Sequence, residues 1–485
     1  MRSLRRGLPA AFVLIACLVG PTPARAVDLF LDDLERRTFQ FFWETTPQDN
    51  GLTPDRWPSP SPSSIAAVGF GLTAYTVGVE RGWVSREDAA ERTMTTLRFF
   101  RESAQSQDPS DSTGWRGFYY HFLDMKSGRR WRTCELSSID TALLMLGVLA
   151  AREYYDGDAA PEPAIRELAD DLYRRVEWDW MQPRPPLLAM GWKPEAGGFG
   201  GADYRGYNEA MFLYALALGS PTHPIKPAAW DAFTSTYEWA EFLGSEHVNF
   251  SPLFGHQYTA CWVDLRGVSD DYLRARGLDY FENSRRATLA QRRYAIANPN
   301  GWRDYDADVW GLTACDGPAN VEQVYRGDKR RFHTYLARGA SADGVIDDGT
   351  IAPTAAGGSL PFAPDECLAA MRTMRERYGD RLYGKYGFRD AFNPSFRYAN
   401  VALQRGVVDP EKGWFDTDYL GIDQGPLLLM AENCRTGFVW DLMKRSPYLR
   451  VGLERAGFRG GWLDGEPPRG AATTGRAAKV ERGAN

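Results

Sequence analysis

Apolar side chains return every three to four residues along most of this chain, and that rhythm limits its fold more than any other feature. Leu31, Leu34, Thr38, Phe41 and Phe42 mark one stripe, and Ile165, Leu168, Leu172 and Val176 another. Further helices are predicted at about 63–81, 86–100, 138–155, 208–219, 227–242, 270–296, 364–378 and 424–455. No convincing run alternates as a strand does, and no repeat of 20 to 50 residues recurs. Between the helices lie long loops rich in Gly, Trp, Tyr and Asp, such as Gly191–Tyr207 and Trp302–Pro318. Loops of that length inside a compact domain usually carry function, and a solenoid gives no reason for them. The pattern predicts an all-α helical toroid, an (α/α)6 barrel with aromatic-rich loops on one rim, formed by residues 27–464 as one domain.

The two ends read differently. Arg2, Arg5 and Arg6 precede an apolar run from Leu8 to Gly20, followed by Ala24-Arg25-Ala26, which predicts a signal peptide over residues 1–26 and a periplasmic or secreted product. An alternative is a lipoprotein processed at Leu14-Ile15-Ala16-Cys17 and anchored through Cys17. No stretch is long and apolar enough to span a membrane. The tail, 465–485, is rich in Pro, Gly, Ala and Arg without an apolar stripe and is predicted to be disordered.

Cleavage after Ala26 leaves 53 basic against 63 acidic residues, a net charge of −10, which makes nucleic acid a poor partner. Cys134, Cys261, Cys315, Cys367 and Cys434 are far apart and form no CxxC pair, and the five histidines show no i, i+4 ligand spacing. Asp304-Tyr-Asp306-Ala-Asp308 starts like a calcium loop but has Val309 where the turn needs glycine, and Cys315 where the bidentate glutamate belongs. Neither a metal nor a cofactor is expected, and the chain is expected to work as a monomer.

Four segments set an acid at the mouth of an apolar helix: Glu135-Leu-Ser-Ser-Ile-Asp140, Tyr207-Asn-Glu209-Ala-Met, Leu312-Thr-Ala-Cys-Asp316-Gly-Pro and Gly421-Ile-Asp423-Gln-Gly-Pro. In a ring of helix hairpins the inner helices run one way, so Glu135, Asp140, Glu209, Asp316 and Asp423 should converge over one opening. Simpler roles exist for each. Ser137-x-x-Asp140 matches a capping box, and Asp423 fits an ordinary turn before Pro426. Glu209 near a helix start should have a lowered pKa, wrong for a general acid, unless burial among Tyr204, Tyr207 and Phe212 outweighs the dipole. Many of the 16 Trp, 23 Tyr and 25 Phe fall in loops, including Trp115, Trp262, Trp414 and Tyr419. Aromatics beside carboxylates suit sugar rings and their hydroxyls, and point to glycoside hydrolysis by two carboxylates.

The segments Phe41-Phe-Trp-Glu44, Gly51-Leu-Thr-Pro-Asp55-Arg56, Tyr207-Asn-Glu209-Ala-Met, Leu253-Phe-Gly-His256-Gln-Tyr, Trp262-Val-Asp264-Leu-Arg266, Trp310 to Pro318, Tyr386-Gly-Phe-Arg-Asp390 and Tyr419-Leu-Gly-Ile-Asp423-Gln-Gly-Pro carry a resemblance. The chain resembles the bacterial glycoamylase-like family that contains the endo-β-1,2-glucanases of glycoside hydrolase family 144, over nearly all of the mature sequence. That resemblance implies a metal-free, endo-acting, inverting hydrolase that cleaves β-1,2-glucan to sophoro-oligosaccharides. Carried over by motif, Glu209 is the general acid and Asp423 the base, with Asp140 and Glu135 as supporting carboxylates. Asp55, Arg56, Trp115, Tyr207, His256, Gln257, Trp262, Arg266, Asp316, Tyr386, Trp414, Tyr419 and Gln424 are the expected substrate-binding residues. The alternatives are a retaining β-1,2-glucan transglycosylase, a non-catalytic glycan-binding protein on the same scaffold, and a lyase. The negative charge argues against a lyase acting on an anionic uronate.

Overall fold

Several long helices begin where a polar side chain takes up free N–H groups of the first turn. Asp28 does so for α1 (Leu29–Thr45), Ser64 for α2 (Ile65–Glu80), Ser85 for α3 (Arg86–Glu102) and Ser137 for α4 (Ser138–Tyr154). There follow α5 (Glu162–Arg174), α6 (Met211–Gly219), α7 (Ala228–Thr234), α8 (Phe254–Trp262), α9 (Asp271–Arg274), α10 (Tyr280–Ala297), α11 (Pro353–Gly357), α12 (Pro364–Tyr378), α13 (Gly421–Arg435), α14 (Phe438–Met443) and α15 (Pro447–Arg455). The computed structural model describes residues 28–195 and 197–465. The expected signal peptide, Cys17 and residues 466–485 of the expected tail lie outside the described residues.

Two kinds of helix alternate. α2, α4, α6, α8, α11 and α13 are buried over nearly their whole lengths, whereas α3, α5, α10 and α12 have one buried stripe and one wet face. The buried helices touch in chain order, and α13 returns to α2. Between α8 and α11 the link is the Gln257 amide, which donates to the Ala355 carbonyl at 2.8 Å and to Ser359 Oγ at 2.7 Å. Outside this ring, α3 packs on α2, α5 on α4, α15 on α6, α10 on α8, α12 on α11 and α1 on α13. Glycine sets the closest approach. A Cβ at Gly69 would sit 2.2 Å from the Leu143 carbonyl oxygen, and one at Gly147 2.1 Å from that of Gly69, so α2 and α4 meet backbone to backbone.

α14 lies across the end where the inner helices finish. It touches α2, α4, α8 and α13, and Trp440 donates its indole N–H to the Ala260 carbonyl at 2.6 Å. The other end, where the inner helices start, is roofed by loops and strand pairs. Arg56–Trp57 pairs with Tyr419–Leu420, and Phe392–Asn393 with Trp414–Phe415.

Several boundaries differ from the sequence reading for physical reasons. The chain is helix-rich without being all-α, because the roof is built of short strand pairs and one five-residue hairpin, Val321–Tyr325 with Asp328–Phe332. The predicted helix at 227–242 stops at Thr234, and Trp239–Phe242 turns at Gly244 (φ +83°) to pair with Ser245–Val248. The predicted 424–455 helix breaks into α13, α14 and α15 at Gly437 (φ +73°) and again before Pro447, while Pro426, expected at a helix start, lies inside α13. α8 and α11 are too short and too uniformly buried to show a period of their own.

Candidate active site

The starts of the inner helices supply the acids. Ser137 donates its hydroxyl to Asp140 and accepts from the Asp140 N–H at 3.2 Å, so Ser137 caps α4 while the Asp140 carboxyl bonds the Ser137 hydroxyl rather than its backbone N–H. No side chain caps α6 or α13, which leaves Glu209, in the turn before α6, and Asp423, in the first turn of α13, free of capping duty. The Asp423 carbonyl accepts from Thr354 Oγ1 at 3.0 Å and ties the start of α13 to that of α11. The Tyr258 phenol on α8 is pushed up first by burial, then by Asp423, with Glu209 also contributing, so both carboxyls lie within electrostatic reach of it.

Burial decides how Glu209 titrates. It raises the pKa from 4.5 to about 7 against the pull of a backbone hydrogen bond, and the Asp140 charge adds to the rise. Glu209 therefore retains its proton to neutral pH, as a general acid must. Beside it, His121 Nδ1 and Glu135 Oε1 are 2.9 Å apart, and His121 Nε2 is 3.6 Å from Asp140 Oδ2. Burial disfavours the imidazolium, yet Asp140, Glu135 and Asp55 together lift His121 to about 9. The hydrogen bond from His121 in turn holds Glu135 at about 2. Glu135 and Asp140 thus grip one imidazolium.

Across the opening, Arg56 pairs with Asp316, lies 3.3 Å from Asp55 and reaches Asp418 at 3.7 Å, while Arg405 reaches Asp418 at 3.1 Å. Asp423, 4% exposed, is raised to about 7 by burial and by the Asp316 and Asp55 charges, against a hydrogen bond with Asp390 and the charge of Arg56. Asp390 is pushed well above the usual carboxylate range, first by burial and then by Asp423 and Asp316, so a proton is shared across the Asp390–Asp423 contact. Oxygens of Asp316, Asp390 and Asp416 lie within 4.8 Å of one another, a set able to hold a cation.

The structure brings Glu209, Asp423, Asp140, Glu135, Asp55, Arg56 and Asp316 together at this opening. Tyr207 and His256 stand nearby, ring to ring at 4.8 Å, with His256 lowered to about 3 by burial and hence neutral. Tyr386 and Tyr419 meet at the rim, 5.4 Å apart, where Tyr386 donates to Glu44 at 3.1 Å. Other expected binding residues are elsewhere. Trp262 is fully buried at the far end of α8 against Phe70, and its indole donates to Thr73 at 3.0 Å. Arg266 is at the closed end, bound to Asp264 at 2.7 Å and over Trp440 at 4.6 Å. Trp414 is fully buried in the roof, its indole donating to the Arg405 carbonyl. Gln257 and Gln424 are ties between elements, the latter donating to the Phe388 carbonyl at 2.9 Å. Trp115 faces Arg116 at 5.5 Å, which pairs with Glu177.

Sequence reasoning missed His121, Asp390, Asp416, Asp418, Arg405, Tyr258 and Tyr335. Asp390, Asp416 and Asp418 flank the short roof strands, and acids beside Gly- and aromatic-rich strand fragments were the available signal. Tyr335, half exposed, feels the charges of Asp423, Asp390 and Asp55.

The family profile described as "Putative glucoamylase" matches residues 202–447. An exo β-1,2-glucooligosaccharide sophorohydrolase (non-reducing end) of Parabacteroides distasonis is 28% identical over 458 residues, which are 88% of this chain and 57% of that protein. The chain therefore spans little more than half the length of that curated relative. A Bacteroides uniformis crystal structure of the same glucoamylase description shares 31% identity at a TM-score of 0.74, covering 89% of this chain and 98% of that one. An endo-β-1,2-glucanase from Chitinophaga pinensis, solved with sophorotriose and glucose, shares 27% identity at a TM-score of 0.74, covering 89% and 98%. This chain belongs to the glycoamylase family.

Proposed function

We propose that this protein is a glycoside hydrolase that cleaves β-1,2-glucan internally, with inversion, and that its six inner and six outer helices form an (α/α)6 barrel. The observation that carries the reading is that Glu209, in the turn before α6, and Asp423, in the first turn of α13, both hold raised pKa values and both act on the same phenol, Tyr258. Glu209 protonates the glycosidic oxygen as the bond breaks. Asp423, as carboxylate, takes the proton of the attacking water on the opposite face of the sugar, directly or through a substrate hydroxyl. Arg56 next to Asp423 favours its ionised form. The imidazolium of His121 holds Glu135 and Asp140 in place beside Glu209. The names of the relatives support the β-1,2 linkage. Internal cleavage is favoured by two exposed aromatics, Trp57 next to Arg56 and Tyr335 within reach of the Asp423, Asp390 and Asp55 charges, which offer stacking faces beside the acids. Export through the leader at residues 1–26 belongs to the same proposal, since a polymeric glucan is met outside the cytoplasm.

The test is reducing-sugar release from linear β-1,2-glucan by the wild type, Glu209→Gln and Asp423→Asn. Both variants should lose activity by at least a thousandfold with unchanged circular dichroism. Wild-type turnover by either one refutes its role.

A further inference from the structure

Three roof loops are cross-tied by hydrogen bonds from their backbone N–H groups. The Asp416 N–H donates to the Ala391 carbonyl at 2.9 Å, the Asp390 N–H to the Asp418 carbonyl at 3.0 Å, and the Asp316 N–H to Asp390 Oδ2 at 2.7 Å. This lattice sets three carboxylates face to face independently of any ligand. Oxygens of Asp316, Asp390 and Asp416 all lie within 4.8 Å of one another. The residues are 5%, 2% and 0% exposed.

Their bonding is incomplete in one direction. Asp416 Oδ1 accepts from the N–H groups of Thr417 at 2.6 Å and Asp418 at 3.0 Å, but Oδ2 is buried without a partner. Arg56 engages Asp316 through Oδ2 and leaves Oδ1. Six carboxyls (Asp55, Asp316, Asp390, Asp416, Asp418 and Asp423) crowd here against two guanidiniums, Arg56 and Arg405. A buried carboxylate oxygen without a donor costs several kcal/mol, which a proton, an ordered water or a cation relieves.

We propose that Asp316, Asp390 and Asp416 form a binding site for a hard divalent cation, Ca2+ or Mg2+, in the wall behind Asp423. All-oxygen donors select this class over zinc or copper. Calcium binds oxygens at ~2.4 Å, so ligands on opposite sides of it stand ~4.8 Å apart and the observed spread fits. The three aspartates supply one oxygen each, and waters complete the shell. The cation braces the roof strands and neutralises charge behind the base, with no part in bond cleavage.

The test uses the full-length protein stripped with EDTA and passed over a chelating resin. Titrating Ca2+ and Mg2+ separately, followed by calorimetry and thermal melting, should show one bound ion per chain and a melting temperature raised by several degrees. Whichever ion does so identifies the occupant. Terbium, a calcium mimic, should show luminescence sensitised by nearby tyrosine and tryptophan, abolished by the bound ion. Asp416→Asn should weaken binding at least tenfold, and if that variant does not fold, competition between terbium and Ca2+ on the wild type reads the site instead. No ion bound at millimolar concentration, or unchanged binding by Asp416→Asn, overturns the assignment.

Discussion

Replacing Glu209 by glutamine should stabilise the protein at alkaline pH while removing its activity. The folded Glu209 carboxyl titrates near 7 against an ordinary 4.5, with burial as the main cause. Between those values the folded state holds a proton that the unfolded state has lost, so stability is full below about 4.5 and falls as pH rises through about 7. The interval corresponds to ~3 kcal/mol, or ~2 to 3 kcal/mol once solvent at the cleft is allowed for. Glutamine keeps the shape and cannot ionise. For a chain of this size, unfolding entropy near the midpoint is about 0.9 kcal/mol per degree. The variant should therefore melt ~2 to 4 °C above the wild type at pH 8.5 and within about a degree of it at pH 5. Paired melting curves at the two pH values measure this directly. A variant less stable than the wild type at pH 8.5 would mean that the carboxylate is a structural partner, and the burial argument would be refuted.

Turnover should fall as pH rises through about 7, because Glu209 loses the proton it must donate; a rate profile flat from pH 6 to 9 would remove it as the acid. Gly69→Ala should destabilise the protein by more than ~3 kcal/mol, because its methyl would overlap the Leu143 carbonyl and force α2 off α4, as denaturant unfolding would register. Arg338 is fully buried and bound to Asp348 at 2.7 and 2.8 Å, so Arg338→Met strands that carboxylate and should cost ~3 to 5 kcal/mol in the same assay.

What the sequence revealed and what it hid follow from the range of the forces involved. Helix starts were legible because caps are local: Ser137 before α4 and Asp28 before α1 act within three residues. The convergence of Glu209, Asp140 and Asp423 was legible because helix direction alone decides which ends share a rim. Trp262 and Arg266 misled because their motif lies at the end of α8 rather than its start, and only the length of that helix places them at the closed end. His121 and Asp390 were hidden because their roles come from contacts across the chain, with Asp140 and Asp423 respectively. Burial of Glu209 could be weighed against the helix dipole only once the walls around it were in place.

The pairing of Glu209 and Asp423 across one sugar is tested most directly by the anomeric form of the first product. Proton NMR of linear β-1,2-glucan, recorded within the first minutes of digestion, separates the new reducing ends before they mutarotate. Attack by water activated at Asp423, opposite Glu209, predicts sophoro-oligosaccharides whose new ends appear first as the α-anomer. New ends appearing first as the β-anomer would mean a covalent intermediate and would contradict the arrangement of acid and base derived from these carboxylates.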